Sequence, residues 1–435
     1  MKRIKNVTVI GATGTMGANV SGIFASFGNA KVYCIGRNID KVKITIPRII
    51  KSVRADSIKY NLIPADFSML EECVSKSDLV FESASEDMEI KSSIARKVAS
   101  ALPPNAISCT GSSGLSIHSL AEQYPIESRG RFFGVHMFNP PYNMTLCELV
   151  ATEYADNSTK RELTDYLRNT LYRTVVEVKD SPAFLGNRIG FQFINEALQF
   201  AEQYKDNGGI DYIDAILGPF TGRAMPPLLT SDFVGLDIHK AIVDNIYQNT
   251  NDYARETFLL PDYVLDLINN NMLGRKNGAG LYKTVRYDGG RKSHLVFDIR
   301  TSSFRDIKKY VFPFVDSMKE LISNGDYLSA FDQLVSNNSI EADICLSFML
   351  KYIMYSLYSA KQIGDTLEAA DDVMATGFNW CPPLALYNAL SNVVNVSELI
   401  EKRYPDLWDS VDVKSIIENI GTSKYDYRKY FKSGR

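Results

Sequence analysis

Short apolar runs alternate with amphipathic stretches through the first 150 residues of the chain. Residues 7–10, 31–35, 78–82, 106–109 and 132–135 are brief and apolar and read as strands. Residues 16–27, 86–102 and 116–124 carry apolar positions at helical spacing. Such alternation predicts a mostly parallel sheet covered by helices on both faces. A helix over 159–171 and a strand over 174–179 extend the pattern.

After Asp180-Ser181-Pro182 the pattern becomes almost wholly helical. Helices are expected over 191–203, 238–247 and 261–269. A hairpin is expected where Gly289-Gly290 separates the apolar runs 281–287 and 293–297. Helical spacing returns over 312–323, 330–335 and 344–362.

An internal repeat crosses this region. Ile213-Asp214-Ala215-Ile216-Leu217 runs on through Gly218-Pro219-Phe220 to Pro226-Pro227-Leu228. Ala370-Asp371-Asp372-Val373-Met374 runs on through Gly377-Phe378-Asn379-Trp380 to Pro382-Pro383-Leu384. Asp214 and Asp371 are 371 minus 214, or 157, residues apart, and each copy follows a long apolar helix. The fold expected is an α/β N-terminal domain over 1–180 with a mostly parallel sheet, followed by two all-α helical domains over 181–285 and 300–435.

Composition narrows the function. The 435 residues hold 48 Lys and Arg against 51 Asp and Glu, a net charge of −3, which argues against a general nucleic-acid surface. The six cysteines form no CxxC pair and no ligand spacing with the four histidines, so reduced thiols and no metal are expected. The first apolar run is broken early by Gly11, too soon for a signal-peptide core. The most apolar stretch, 344–360, carries Lys351 and falls short of the roughly 20 residues that span a membrane. A cytoplasmic protein with neither membrane nor nucleic-acid partner is expected.

Candidate chemistry lies at strand ends. Gly11-Ala12-Thr13-Gly14-Thr15-Met16-Gly17 joins the first strand to the first helix. Glycines there permit a tight turn and let backbone N–H groups approach a pyrophosphate at a helix N-terminus, which makes this a dinucleotide-binding (Rossmann) loop. The second strand ends in Gly36-Arg37, where a carboxylate is expected for the adenosine ribose. Without that carboxylate a 2′-phosphate is not repelled, and Arg37 can pair with one, which leans toward NADP. His136 stands at another strand end, in Val135-His136-Met137-Phe138-Asn139-Pro140-Pro141. Glu148, twelve residues on, would fix its tautomer if the chain folds back. Ser112 and Ser113 follow the strand 106–109, and Asn187 falls near the start of the first long helix.

Together these motifs resemble the 3-hydroxyacyl-CoA dehydrogenase family over roughly residues 5–285. The resemblance rests on the glycine loop, on Phe81-Glu82-Ser83-Ala84-Ser85-Glu86-Asp87 with Lys91, and on Ser112-Ser113 before Leu115-Ser116-Ile117. The His136, Asn139 and Glu148 block follows, then Lys179-Asp180-Ser181-Pro182 with Asn187-Arg188, and Gly274-Arg275-Lys276-Asn277-Gly278-Ala279-Gly280-Leu281-Tyr282.

By position, the resemblance implies His136 as catalytic base, Glu148 as its orienting carboxylate and Asn139 as an active-site asparagine. It implies Ser113 (or Ser112) and Asn187 as substrate contacts, and Glu86 and Lys91 as contacts to the cofactor. Lys51, Arg54 and Lys59, with Lys41, Lys43 and Arg48, occupy the segment where the family meets coenzyme A phosphates. NAD is the family's usual cofactor, and coenzyme A is part of the substrate.

The sequence departs from the family in three places: an extra residue in the glycine loop, Gly36-Arg37, and Gly111 with Gly114 around the serines. Residues 300–435 are similar to a second copy of the family's helical domain, which implies a monomer, with a homodimer as the alternative. Two other readings stay open here: a non-catalytic dinucleotide-sensing regulator, and a dehydrogenase of small free 3-hydroxy acids.

Overall fold

The computed structural model describes residues 4–286, 292–410 and 413–432, in two compact units. The first unit takes in Met1–Phe184 together with Ile363–Asp365. Its elements are β1 (Asn6–Ile10), α1 (Thr15–Ser26), β2 (Lys31–Gly36), α2 (Ile39–Val53), β3 (Leu62–Asp66), α3 (Leu70–Ser75), β4 (Leu79–Glu82) and α4 (Met88–Ala101). They continue with β5 (Ile107–Thr110), α5 (Ile117–Ala121), α6 (Ile126–Arg129), β6 (Phe132–Met137), β7 (Leu146–Val150), α7 (Asn157–Asp165) and β8 (Thr174–Val178).

The eight strands lie in the order β3-β2-β1-β4-β5-β6-β7-β8. The first six are parallel; β7 returns antiparallel to β6, and β8 runs parallel to β7. Val7, Val9 and Ile10 are fully buried, as are Leu146 through Val150 to within 1%. Strands covered on both faces need apolar runs rather than alternation, the pattern seen in β1 and β7 but for the buried Thr8 and Glu148. The strand order reverses between β1 and β4, so their carboxyl ends open the crevice in which such sheets bind ligands.

Two helices bring side chains to that edge for identifiable reasons. Asn38 caps α2, its Oδ1 accepting from Asp40 N (2.8 Å) and Lys41 N (3.2 Å). Val42, Thr45 and Ile49 face inward, while Lys41, Lys43, Arg48 and Lys51 face out. Asp87 caps α4 by accepting from Ile90 N at 2.8 Å. The inward stripe of α4 is Lys91, Ile94, Ala95 and Val98, so helical periodicity itself carries a lysine into the interior.

The second unit takes in Leu185–Gln362 and Thr366–Arg435. Its first helices are α8 (Gly186–Gln203), α9 (Ile210–Ile216), α10 (Pro227–Val234), α11 (Leu236–Asn249) and α12 (Asp262–Asn269). A three-stranded antiparallel sheet follows, β9 (Tyr282–Arg286), β10 (Lys292–Asp298) and β11 (Ser303–Asp306), with β10 in the middle. The Gly289-Gly290 turn lies outside the described residues, and the flanking strands pair as expected. Next come α13 (Pro313–Ser323), α14 (Tyr327–Val335), α15 (Ile340–Ile363), α16 (Glu368–Val373), α17 (Pro383–Leu390), α18 (Val396–Arg403), α19 (Pro405–Ser410) and α20 (Val413–Glu418).

The two repeat motifs do the same physical work. Asp214 accepts from the N–H groups of Leu228 (2.8 Å) and Leu229 (3.0 Å), at the start of α10. Asp371 accepts from Leu384 N (2.7 Å), at the start of α17. Both satisfy N–H groups that a helix N-terminus leaves without partners. Gly222 (φ +88°) and Asn379 (φ +54°), again 157 apart, are both left-handed. Next to them, Arg223 is buried with its guanidinium 3.7 Å from the Phe193 ring and 4.8 Å from that of Trp380. Arg305 clamps Asp211 with two hydrogen bonds, at 2.7 and 2.8 Å, and so fastens β11 to the start of α9. No described helix is long and apolar enough to cross a membrane.

Candidate active site

His136 is the fifth residue of β6, and Glu148 lies directly opposite it in the β6–β7 register. Its Nδ1 stands 2.7 Å from Glu148 Oε2, with His136 6% exposed and Glu148 fully buried. An ionised carboxylate only accepts, so the shared proton sits on Nδ1 and the lone pair of the neutral ring is left on Nε2. The rings of Phe138 and Phe184 lie 4.5 and 5.6 Å from the imidazole and give it apolar walls. Asn139, exposed two residues beyond Met137, accepts from Asn19 Nδ2 of α1 at 3.3 Å.

The glycine loop sorts its three glycines by cause. A Cβ on Gly11, whose φ is +85°, would lie 2.2 Å from the Ser83 carbonyl oxygen, so this residue is fixed by the approach of β1 and β4. A Cβ on Gly17 would lie 2.3 Å from the Gly11 carbonyl oxygen, which fixes the packing of α1 on the loop. Gly14, exposed at the start of α1, meets nothing closer than 3.4 Å. Packing within the chain gives no reason for a glycine there. A ligand drawn against the backbone does, and this cradle fits a dinucleotide pyrophosphate despite the extra residue. Thr13, Thr15 and Met16 complete the loop.

Beyond β2, Arg37 is exposed and makes no ion pair among the described residues. A Cβ on Gly36 would come within 2.7 Å of Val42, so a carboxylate side chain has no room at that position.

A third group lies at the ends of β4 and β5. Ser112 is buried, and its hydroxyl donates to Glu86 Oε1 at 2.6 Å while accepting from Leu115 N at 3.1 Å. Ser113 is half-buried; its N–H donates to the same oxygen at 2.9 Å, and its hydroxyl is only loosely engaged, at 3.5 Å. Glu86 Oε2 faces Lys91 Nζ at 3.4 Å. Burial works against the ionised form of Glu86, but the Lys91 ammonium and the bonds from Ser112 and Ser113 outweigh it and hold its carboxyl below the usual range. Lys91 is 1% exposed and is bound by Glu82 as well, so it belongs to the floor of the site.

Lys51, Arg54 and Lys59 are exposed on α2 and the turn after it. Asn187 belongs to the second unit, buried in the first turn of α8. Sequence reasoning gave no role to Glu82 or Thr110. The signal for Glu82 was present as an acidic residue ending an apolar strand, with a lysine on the apolar stripe of the next helix.

Comparison with known proteins matches residues 6–181 to the 3-hydroxyacyl-CoA dehydrogenase NAD binding domain and residues 184–284 to the C-terminal domain of the same enzymes. A Deinococcus radiodurans protein named "Probable 3-hydroxyacyl-CoA dehydrogenase" is 31% identical over 66% of this chain and 85% of its own. The chain belongs to the 3-hydroxyacyl-CoA dehydrogenase family. That is a family of oxidoreductases with an NAD-binding domain. A Bacillus subtilis protein of the same printed name is 26% identical over 73% of this chain, which spans only 39% of that longer protein. The solved structure of 3-hydroxybutyryl-CoA dehydrogenase from Escherichia coli shares the fold over 92% of this chain and 95% of its own, with a TM-score of 0.69 at 20% identity.

Proposed function

We propose that this member of the family interconverts short- or medium-chain 3-hydroxyacyl-CoA and 3-oxoacyl-CoA, with His136 as the acid–base group. The His136–Glu148 pair carries the reading. With its proton on Nδ1, the imidazole offers Nε2 to the substrate's 3-hydroxyl and takes that proton as the alcohol is oxidised. The nearby Glu148 carboxylate stabilises the imidazolium that results. In the reverse direction the same Nε2–H protonates the developing alkoxide. Acid–base assistance of this kind is worth roughly 10²- to 10⁴-fold. The nicotinamide cofactor supplies the hydride acceptor or donor, held at the loop from Gly11 to Gly17.

The engaged Ser112 hydroxyl and the nearly free one of Ser113 favour Ser113 as the substrate contact. Asn187 is assigned to the substrate, and Lys51, Arg54 and Lys59 to the coenzyme A phosphates, on the family resemblance. The exposed Arg37 beside a position closed to carboxylates favours NADPH over NADH. The paired helix starts held by Asp214 and Asp371 favour two copies of a helical domain after the dinucleotide-binding one, and with them a monomer.

Acetoacetyl-CoA reduction followed with NADH and NADPH in parallel, for wild type and His136→Ala, tests these assignments. Turnover lost in the variant is expected. No turnover by wild type with either cofactor removes the enzymatic reading, and a fully active variant removes His136 from its role. Tenfold preference for NADH in kcat/KM, about 1.4 kcal/mol, overturns the assignment of Arg37.

A further inference from the structure

Glu82 has the geometry of a residue that works through others. It is the last residue of β4, in register with Ile10 on β1 and Thr110 on β5, at the point where the strand order reverses. Its Oε1 accepts from Lys91 Nζ at 3.0 Å and from the Ala84 N–H. Its Oε2 accepts from Lys91 Nζ at 3.0 Å and from the Thr110 hydroxyl at 2.7 Å. Four hydrogen bonds from three donors fill the carboxylate, which therefore has nothing left to offer a substrate.

Lys91 is the hinge of the arrangement. A buried ammonium is costly unless it is closely paired. Glu82 meets it with both oxygens, whereas Glu86 meets it with one, at a longer distance and with a side chain 39% exposed. Glu82 is thus the partner that keeps the ammonium in place. Glu86 divides its two oxygens, Oε2 toward Lys91 and Oε1 toward the Ser112 hydroxyl and the Ser113 N–H. A single line of contacts joins the end of β4, the second turn of α4 and the loop after β5.

We infer that Glu82 is a positioning residue: it fixes Lys91, which holds Glu86, which sets the loop bearing Ser112 and Ser113. The inference rests on the reading that this loop meets the acyl-CoA substrate. Removing the Glu82 charge leaves Lys91 free to swing toward Glu86, and the oxygen that holds the serines moves with it. The line also holds Glu86 and Lys91, which the family resemblance gives to the cofactor, so with the cofactor saturating the loss falls on substrate binding, Nε2 of His136 standing outside the line.

Steady-state reduction of acetoacetyl-CoA by the full-length chain tests this with Glu82→Gln, Ser113→Ala and the double variant. Glu82→Gln is expected to raise KM for acetoacetyl-CoA about tenfold with kcat within threefold of wild type. In the Ser113→Ala background the same change is expected to cost less than twofold, since residues acting as one unit are not additive. Wild-type constants for Glu82→Gln overturn the inference.

Should Ser113→Ala itself match wild type, the reading of that serine fails, and the cycle is run against Glu86→Gln instead. Fully multiplicative effects with Glu86→Gln then overturn the positioning role, and non-additive ones sustain it. If Glu82→Gln does not fold, Glu82→Asp keeps the charge but draws the carboxylate back from Lys91 by one methylene and carries the same expectations.

Discussion

His136 and Glu148 are cross-strand neighbours, with Nδ1 and Oε2 2.7 Å apart. The alignment of the imidazole is therefore set by backbone register and not by a flexible loop. Glu148→Gln keeps the shape but can present an amide N–H to Nδ1 and favour the other tautomer. A fall in kcat of about 10²-fold is expected, from loss of orientation and of imidazolium stabilisation. Stopped-flow measurement of the hydride step checks this, and a kcat within threefold of wild type contradicts it.

The three glycines of the loop should separate in mutagenesis. Gly14→Ala meets no atom closer than 3.4 Å, so folding should be unaffected while KM for the dinucleotide rises about tenfold, or 1.4 kcal/mol. Gly11→Ala drives a Cβ into the Ser83 carbonyl at a φ of +85° and should lower the melting temperature or abolish soluble expression. Equal behaviour of the two variants in thermal melts and cofactor titration would contradict the assignment.

Burial pushes the Asp214 carboxyl up to about 7, against bonds from Tyr282, Leu228 and Leu229 that favour the anion. Its folded value lies above the unfolded one, near 3.9. Its contribution to stability is therefore complete below the unfolded value and is lost as pH rises through about 7. The unfolding free energy of wild type, less that of Asp214→Asn, should fall by about 2 kcal/mol between pH 5 and 7.5 and level off above pH 8. Urea titrations across that range check it; a difference independent of pH would sink the argument.

Arg305 and Asp211 form a bidentate pair whose carboxylate is buried. Among the described residues, Arg305→Ala leaves that carboxylate with Lys308 N and the Tyr310 hydroxyl only, and should cost about 3 kcal/mol of stability. Adding Asp211→Asn should recover part of it. Denaturant midpoints for the three variants provide the measurement, and an undiminished midpoint in Arg305→Ala excludes the clamp.

Strand and helix periodicity made the parallel sheet and most long helices legible in the sequence, within a few residues at their ends. It missed β3, because Pro64 interrupts Leu62–Asp66; the strand tolerates proline because it lies at the edge of the sheet. It missed β7 as well, since Glu148 stands in the middle of an otherwise apolar run. His136 and Glu148 were both visible as residues, but their contact depends on an antiparallel register that spacing does not encode. The line from Glu82 to Ser113 was hidden for a similar reason: it joins two strand ends and a helix face, which only the fold brings together.

The 157-residue spacing that relates Gly222 to Asn379 also relates Arg223 to Trp380, and the Arg223 guanidinium lies 4.8 Å from the Trp380 ring. In an assembly of identical subunits, a residue at such a spot meets its own copy across the two-fold axis. Arginine would there oppose arginine, and the charges would repel. Two non-identical copies of a helical domain in one polypeptide, as proposed above, would release this position from self-complementarity. A cation on one side can then be matched by an indole on the other, a pairing closed to a residue that meets its own copy on a two-fold axis.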